Sequence, residues 1–200
     1  MSKIISYIFL FIALPIYAAN PSATSIVEKV VETIRSAPSI TTRLEVTSHG
    51  ETNKGSMTLS GDRFAFSSPQ MSTWYDGNTL WSYSSATNEI NISEPTQEEL
   101  QEINPFTYIK AARTAYTPLL IASDTSAYTI QLTPKKKNEI EKIDIKVSKA
   151  TNLPTYIKLF HKKGSIVITL SATKIGKQLL NSTFQFNREL FPDVEIVDLR

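Results

Sequence analysis

The sequence contains no cysteine and only two histidines among its 200 residues. Without cysteine there can be no disulfide bond, no thiolate metal site and no cysteine nucleophile. The same absence excludes a lipid attached to cysteine, so the protein is not itself a lipoprotein. His49 and His161 do not stand at a metal-ligand spacing such as HExxH, and both are predicted to lie in solvated turns at strand ends.

The chain also lacks the motifs of common enzymes. Its six glycines are scattered one per turn, so there is no phosphate-binding loop, and no GxSxG nucleophile elbow occurs. Glu98, Glu99 and Glu102 lie close together, but acidic residues in the first turns of a helix complement its N-terminal partial charge and face water. We therefore predict that the protein is not an enzyme, with no catalytic residue, no metal and no cofactor.

An excess of one sign of charge is missing as well. There are 21 basic and 19 acidic residues, and this balance predicts neither nucleic acid nor an anionic membrane surface as a partner. Lysines do cluster in two turns, at 134–138 and 161–164. Such clusters usually keep sheet edges solvated, and we interpret them in this way rather than as a binding patch.

The longest apolar run lies at the N-terminus, from Ile4 to Ile16, directly after Lys3. A bilayer-spanning helix needs about 20 residues, and this run is shorter. Because Ala18 and Ala19 follow, the pattern predicts a cleavable signal peptide at 1–18, with cleavage after one of these alanines. A retained membrane anchor is the alternative. Residues 19–200 are then expected to form a single exported domain in the periplasm.

Residues 22–36 have the pattern of an amphipathic helix. Val27, Val30, Val31 and Ile34 stand at i, i+3, i+4 and i+7, which places them on one face. From residue 40 to residue 94 the period changes to two, and glycine-containing breaks divide this region into about five or six antiparallel strands. Later strands are predicted at Ala127–Thr133, Ile140–Ser148, Pro154–His161, Ser165–Thr173 and Ser182–Phe186.

Two short helices are predicted between these sets of strands. Thr96 and Glu99 match the TxxE capping box, in which each side chain satisfies a free amide of the first helical turn. Asn104 and Pro105 are suited to begin a second helix. The whole pattern predicts a mainly β (α+β) fold of about 10–11 strands, either a strongly curved antiparallel sheet or an unclosed antiparallel barrel, covered by helices. Such a shell has an interior that a ligand can occupy.

Both tryptophans lie in the segment WYDGNTLWSY, residues 74–83. A two-residue turn at Asp76 and Gly77 pairs Trp74 with Thr79, whereas a turn one residue later pairs Trp74 with Trp81. In either register Trp74, Trp81 and Tyr83 share one face of the hairpin. The hairpin is apolar on both faces, so we expect one face to border the interior and the other to meet a covering element.

The segment DGNTLWSY, residues 76–83, resembles the DGxxLWxY segment of the LolA family of periplasmic lipoprotein carriers. Asn104, Pro105 and Phe106 are similar to the helical NPF segment of that family. The tail FQF at 184–186, followed by FPDVEIVD at 191–198, resembles the family ending. Many members also have an Arg-Pro pair before the aromatic hairpin. Here Arg63 lacks the proline and is out of register, so we do not assign it the lid-latching role of that arginine.

This resemblance implies an unclosed barrel with a helical lid over an apolar cavity. It also implies a monomeric carrier that receives acylated lipoproteins from an inner-membrane ABC-type lipoprotein-releasing complex and passes them to an outer-membrane acceptor. The lid residues would be Leu100, Ile103, Phe106 and Ile109. The lipid-binding cavity would be lined by Phe64, Phe66, Trp74, Trp81, Tyr83, Ile130, Ile145, Ile157, Ile168 and Phe186.

Two alternatives stay open at this point. Each proposed lining residue has a second interpretation, a permanent place in the hydrophobic core. The protein as a whole also has a second interpretation, as a periplasmic regulatory sensor of lipid or lipoprotein on the same scaffold.

Overall fold

The computed structural model describes residues 21–200, which form one twelve-stranded sheet and three α-helices. The expected signal peptide at 1–18 lies outside the described residues. The helices are α1 (Ala23–Ser36), α2 (Gln97–Ile103) and α3 (Phe106–Ala115). None of the helices within 21–200 has the length and hydrophobicity needed to cross a membrane.

The strands follow one another along the chain mostly as antiparallel hairpins. Their bounds are β1 Ser39–Ser48, β2 Glu51–Ser60, β3 Arg63–Ser67, β4 Met71–Tyr75, β5 Leu80–Ser84, β6 Glu89–Ser93, β7 Tyr116–Ser123, β8 Ala127–Pro134, β9 Ile140–Ser148, β10 Pro154–His161, β11 Gly164–Gly176 and β12 Glu195–Asp198. Two short 3₁₀ turns, Asn181–Phe184 and Arg188–Leu190, precede β12.

The sheet is open. Its strand order is β12-β6-β5-β4-β3-β2-β1-β11-β10-β9-β8-β7, and the only parallel pair in the described part of the chain is β12 with β6. The edge strands β7 and β12 do not pair with each other within residues 21–200. The prediction of an unclosed, mainly antiparallel sheet with helices is therefore confirmed.

The helices begin where the sequence supplies caps. The Ser22 hydroxyl accepts a hydrogen bond from the Ser25 amide (3.1 Å) at the start of α1. Both bonds of the capping box are present at α2, between Thr96 and Glu99. The Asn104 side chain accepts from the Phe106 amide (3.0 Å) at the start of α3. Each bond satisfies an amide that has no partner within the helix.

The hairpin turns fall at two ends of the sheet. The β1–β2 turn at 48–51, the β8–β9 turn at 134–140 and the β10–β11 turn at 161–164 lie at one end, because Ser48 pairs with Ile166 and Ile140 with His161. We call this the mouth end. The turns at Gly61–Asp62, Asp76–Thr79 and Asp124–Ser126 lie at the opposite end.

The two faces of the sheet bury different sets of residues. The inner face carries the main core, in which Met57, Leu59, Phe64, Leu132 and Ile157 are almost completely buried beneath the helices. The helix α1 adds the apolar stripe predicted from its spacing. The outer face is mostly polar except at β4–β6, where the C-terminal segment from 181 to 194 covers it.

Two regions differ from the sequence prediction. The strand β7 was not predicted, because Pro118 interrupts its pattern. Proline is tolerated there because β7 is an edge strand and needs donors on one side only. The strand predicted at Ser182–Phe186 is wrong: Asn181–Phe184 forms a 3₁₀ turn. Its alternating phenylalanines are placed by packing on the outer face, and not by strand pairing.

Candidate functional site

A cavity of about 530 Å³ lies between the helical pair α2–α3 and the inner face of the sheet. The helical side contributes residues from the end of α2 and the start of α3. The sheet side is formed by β1, β3, β4, β10 and β11. The lining residues are Leu44, Val46, Ser48, His49, Phe66, Met71, Gln101, Glu102, Ile103, Pro105, Tyr108, Leu159, His161, Lys163, Gly164, Ser165, Ile166 and Ile168.

The cavity is apolar along most of its wall and polar at the mouth end. Leu44, Val46, Phe66 and Ile168 lie on the inner faces of three strands, since Val46 pairs with Ile168 and Leu44 with Leu170. The polar lining residues of the sheet are in the turns at the mouth end, among them both histidines and Lys163. A molecule with an apolar chain and a polar end matches this distribution.

Phe66 owes its position at the cavity to a glycine. A Cβ atom at Gly55 would stand 2.6 Å from Cε2 of Phe66 and 2.6 Å from the carbonyl oxygen of Ser67. Because real Cβ atoms do not approach that closely, only glycine lets β2 pass under the aromatic ring. The bare backbone at Gly55 thus shapes one wall of the cavity.

Tyr108 places a phenol at the helical side of the cavity. Burial raises the pKa of Tyr108 to about 12, with smaller contributions from Tyr116 and Glu102. A phenol is uncharged at neutral pH even at its ordinary pKa, so the side chain presents a neutral ring with one polar hydroxyl. The residue is 4% exposed, which fixes it within the wall.

One lysine of α3 contacts the end of the sheet opposite to the mouth end. The Lys110 Nζ donates to the carbonyl oxygen of Gly61 (2.7 Å) and to Oδ1 of Asp62 (2.8 Å), both in the β2–β3 turn. A second cavity of about 350 Å³ lies beside this contact and is bordered by Phe64 and Leu100. It is more polar than the first, since Asp62, Lys110 and several amide side chains also border it.

Of the ten residues proposed as cavity lining, Phe66 and Ile168 line the larger cavity. Ile130, Ile145 and Ile157 are core residues instead, each at most 4% exposed. They face the inner side as expected, but other core side chains, including the α1 stripe, fill the space in front of Ile130 and Ile145. Phe64 borders only the smaller cavity.

Trp74, Trp81, Tyr83 and Phe186 are not at the cavity, which corrects the expected lining. Trp74 pairs with Trp81, and this row lies on the face opposite to Phe64, Tyr75 and Leu80. The C-terminal segment covers it. The Trp74 ring lies 5.9 Å from those of both Phe186 and Phe191, and the Tyr83 ring 4.8 Å from that of Phe191. Period-two spacing groups these residues correctly but does not show which face the helices cover.

The lid residues are placed in three different environments. Ile103 lines the larger cavity, and Leu100 borders the smaller one. Phe106 and Ile109 are 0% and 2% exposed and belong to the main core. Of these four residues only Ile103 touches the larger cavity, and the start of α3 contributes Pro105 and Tyr108 to its wall instead.

The hairpin at 74–83 adopts the second of the two registers. Trp74 pairs with Trp81, Tyr75 with Leu80, and the Asp76 amide donates to the Thr79 carbonyl oxygen (3.3 Å). The Asp76 carboxylate accepts from the amides of Asn78 and Thr79, at 3.0 Å each. Burial alone would raise the pKa of Asp76, but these hydrogen bonds, with one from Gln185, outweigh it and lower that pKa.

Arg63 holds the C-terminal segment on the outer face of the sheet. Its guanidinium lies 4.9 Å from the ring centroid of Phe184 and donates to the side chains of Asn181 and Ser60. Phe184 is completely buried. Arg63 is therefore part of the outer packing, and the helical contact at this end of the sheet is made by Lys110 instead.

Several cavity residues were not proposed from the sequence. Leu44, Val46 and Leu159 alternate with polar neighbours, which identifies an inward face but not a cavity. The two histidines and Lys163 were interpreted as solvated turn residues, and only the strand register shows that their turns meet at the cavity mouth.

The family that matches this chain is described as outer membrane lipoprotein carrier protein LolA, over residues 19–163. The chain belongs to this family. Proteins of this family are periplasmic and bind lipoproteins, as carriers or binding proteins. No curated protein matches the chain significantly.

Solved structures with the LolA-like fold are distant in sequence. An uncharacterized conserved protein from Thermus thermophilus is 12% identical with a TM-score of 0.62, covering 88% of this chain and 98% of that one. A putative outer membrane lipoprotein-sorting protein domain from Vibrio parahaemolyticus is 10% identical with a TM-score of 0.50, covering 84% and 97%. At these identities the likeness is one of fold.

Proposed function

We propose that this LolA-like protein carries the acyl chains of lipoproteins through the periplasm, from an inner-membrane lipoprotein-releasing complex to an outer-membrane acceptor. The observation that carries the proposal is the apolar cavity of about 530 Å³ under α2. Exposing an acyl chain to water costs about 0.8 kcal/mol per methylene, so a chain of about 16 carbons needs such a shelter during transit.

The acyl chain would lie along Leu44, Val46, Phe66 and Ile168, with its polar end among the turns of the mouth end. The sheet side of the wall supports this orientation, because its hydrogen-bonding groups lie at that end and its other lining side chains are apolar. Binding uses contact area alone, so no covalent step is needed for loading or release. The predicted signal peptide at 1–18 would direct export of the carrier to the periplasm.

A substitution that fills the cavity tests this proposal. Val46→Trp places a large ring in the cavity, whereas Val167→Trp makes the same change beside it on the outer face, where Val167 pairs with Thr47. We expect Val46→Trp to weaken binding of a fluorescent triacylated peptide at least tenfold, and Val167→Trp to leave it unchanged. Thermal unfolding of both variants controls for folding.

Mass spectrometry of lipids extracted from the purified protein gives a second readout. Acyl ligands should co-purify with the unsubstituted chain and with Val167→Trp, and should be depleted in Val46→Trp. If the unsubstituted protein neither retains acyl ligands nor accepts the triacylated peptide, the proposal is wrong.

A further inference from the structure

Positive charge is concentrated in one part of the chain. Residues 134–164, which we call the basic hairpins, contain nine lysines and three acidic residues. Since the formal net charge of the whole sequence is +2, this segment of +6 is balanced by −4 in the rest. The nearly balanced total therefore hides a strongly uneven distribution of charge along the chain.

The fold places the two lysine-rich turns of the basic hairpins beside the cavity mouth. The segment comprises the β8–β9 turn, β9, the β9–β10 turn, β10 and the β10–β11 turn. The β9–β10 turn lies at the opposite end of the sheet, but the two lysine-rich turns lie at the mouth end and touch, since the Lys162 amide donates to the Glu139 carbonyl oxygen (3.3 Å). His161, Lys163 and Gly164 line the cavity itself. A molecule that contacts these turns is thus in contact with the opening.

The lysines of the outer face are paired with aromatic rings. The Nζ atoms of Lys142 and Lys158 lie 4.4 and 4.6 Å from the ring centroid of Phe160, and that of Lys146 lies 5.6 Å from Tyr156. Few carboxylates oppose them. Glu139 is engaged by Lys162 (2.8 Å), and Asp144 accepts from Gln131 (3.1 Å).

We propose that the basic hairpins dock the cavity mouth onto the surface of a bilayer that contains anionic phospholipid. Lysines attract anionic headgroups, and aromatic rings settle at headgroup level. The same turns border an apolar cavity, and Met71, another lining residue, is 41% exposed. A membrane surface matches this combination, because it offers negative charge above an apolar phase into which the cavity can open.

Vesicle binding by the cargo-free protein tests this inference without any dependence on acyl transport. Vesicles of phosphatidylcholine, with and without about one third phosphatidylglycerol, are compared by co-sedimentation at low and high salt. We expect binding only to the anionic vesicles, and its loss at high salt because surface electrostatics are screened.

Two triple variants with the same loss of charge locate the surface. Lys135→Gln, Lys136→Gln and Lys137→Gln together remove three exposed lysines of the β8–β9 turn at the mouth end. Lys29→Gln, Lys174→Gln and Lys177→Gln remove three exposed lysines from α1 and from the end of β11 and its continuation. Each lysine near an anionic surface contributes about fivefold to vesicle affinity. The first variant should therefore bind the anionic vesicles on the order of a hundredfold more weakly, and the second should bind them like the unsubstituted protein.

Three results would overturn the inference: equal binding to both kinds of vesicle, binding to neither, or equal weakening in the two variants. Binding to neither would leave an acidic protein surface as the partner that the basic hairpins fit. Triacylated-peptide binding, measured in parallel, separates any such result from a failure of the proposed carrier function.

Discussion

One buried hydroxyl in the inner face has no hydrogen-bond partner within the described residues. Thr73 is completely buried in β4, between Phe66 and Ser82 on the neighbouring strands, and its Oγ1 atom lacks a partner there. An unsatisfied buried polar group costs about 1–3 kcal/mol. Thr73 thus weakens the part of the sheet next to the cavity.

Replacing this hydroxyl by a methyl group should stabilise the protein. We expect Thr73→Val to raise the free energy of unfolding by about 1 kcal/mol, because valine has the same shape and no polar atom to desolvate. Urea unfolding measures the change. Thr169→Val, on an exposed outward-facing position, should stay within about 0.5 kcal/mol of the unsubstituted protein. Destabilisation by Thr73→Val would mean that a water molecule satisfies the hydroxyl.

At the scale of elements, the two faces of the β3–β5 region separate stability from binding. Trp74→Ala removes packing against Phe186 and Phe191 and should lower the free energy of unfolding by about 3 kcal/mol. Acyl affinity of the folded protein should be unchanged. Phe66→Ala should have the opposite profile, with weaker acyl binding and a smaller loss of stability. An acyl-binding defect in Trp74→Ala, at temperatures where it is folded, would contradict this division.

The contact between α3 and the β2–β3 turn should control how readily the helices move. Lys110→Met keeps the aliphatic stem and removes both hydrogen bonds to Gly61 and Asp62. Because the partner carboxylate is exposed, we expect a loss of stability below about 1 kcal/mol. The measurable effect should be faster amide hydrogen exchange in α2 and α3 and faster acyl exchange.

The matched control for this contact is Arg113→Met, an exposed position one turn further along α3. It removes a charge from the same helix without removing the contact to the turn. If Lys110→Met exchanged acyl ligand no faster than Arg113→Met, the contact would be irrelevant to release.

The success of sequence-based prediction at this scale depended on where the deciding interactions lie. Caps act within four residues, so Thr96 and Asn104 allowed the starts of α2 and α3 to be predicted to within one or two residues, and the apolar spacing of residues 27–34 located α1. Strand alternation likewise allowed β1–β6 and β8–β11 to be predicted. The edge strand β7 and the C-terminal segment were missed because their conformations depend on neighbours distant in sequence.

At the scale of the whole molecule, hydrogen-bonded carboxylates predict the response to acid. Backbone amides and hydroxyls lower the pKa of Glu99 and Asp124, and turn hydrogen bonds outweigh burial to lower that of Asp76. A lowered folded-state pKa contributes stability above the ordinary values, 3.8 for Asp and 4.5 for Glu. This contribution is lost as pH falls through the folded values.

Urea unfolding between pH 7 and pH 3 checks this expectation. The free energy of unfolding should be steady down to about pH 5 and then decline. In Asp124→Ala the free energy of unfolding should fall by less over the same pH range, because one group that takes up a proton on unfolding has been removed. A free energy that stayed level down to pH 3 would show that these carboxylates have the same pKa in both states.

The candidate site was the part least accessible to sequence reasoning. Alternation assigned Trp74 and Trp81 to one face and Leu80 to the other, but not which face the helices cover. Counting charges over the whole chain gave near neutrality and missed the excess of lysine within 134–164, and only strand pairing shows that the two lysine-rich turns of this segment meet. Likewise, His49 and His161 are 112 positions apart in the sequence, and only strand register brings their turns to the same cavity.

The open gap between β7 and β12 has a mechanical consequence. In a closed barrel every strand is held by hydrogen bonds on both sides, so the circumference is fixed by strand number and stagger. A sheet with two free edges can curl more or less tightly without breaking any of its ladder bonds. The interior can then be smaller without a ligand and larger with one, and the change requires repacking of side chains but no loss of strand pairing. A designed cross-link between the edge strands β7 and β12 would fix the curvature of the sheet and thereby the volume of its interior.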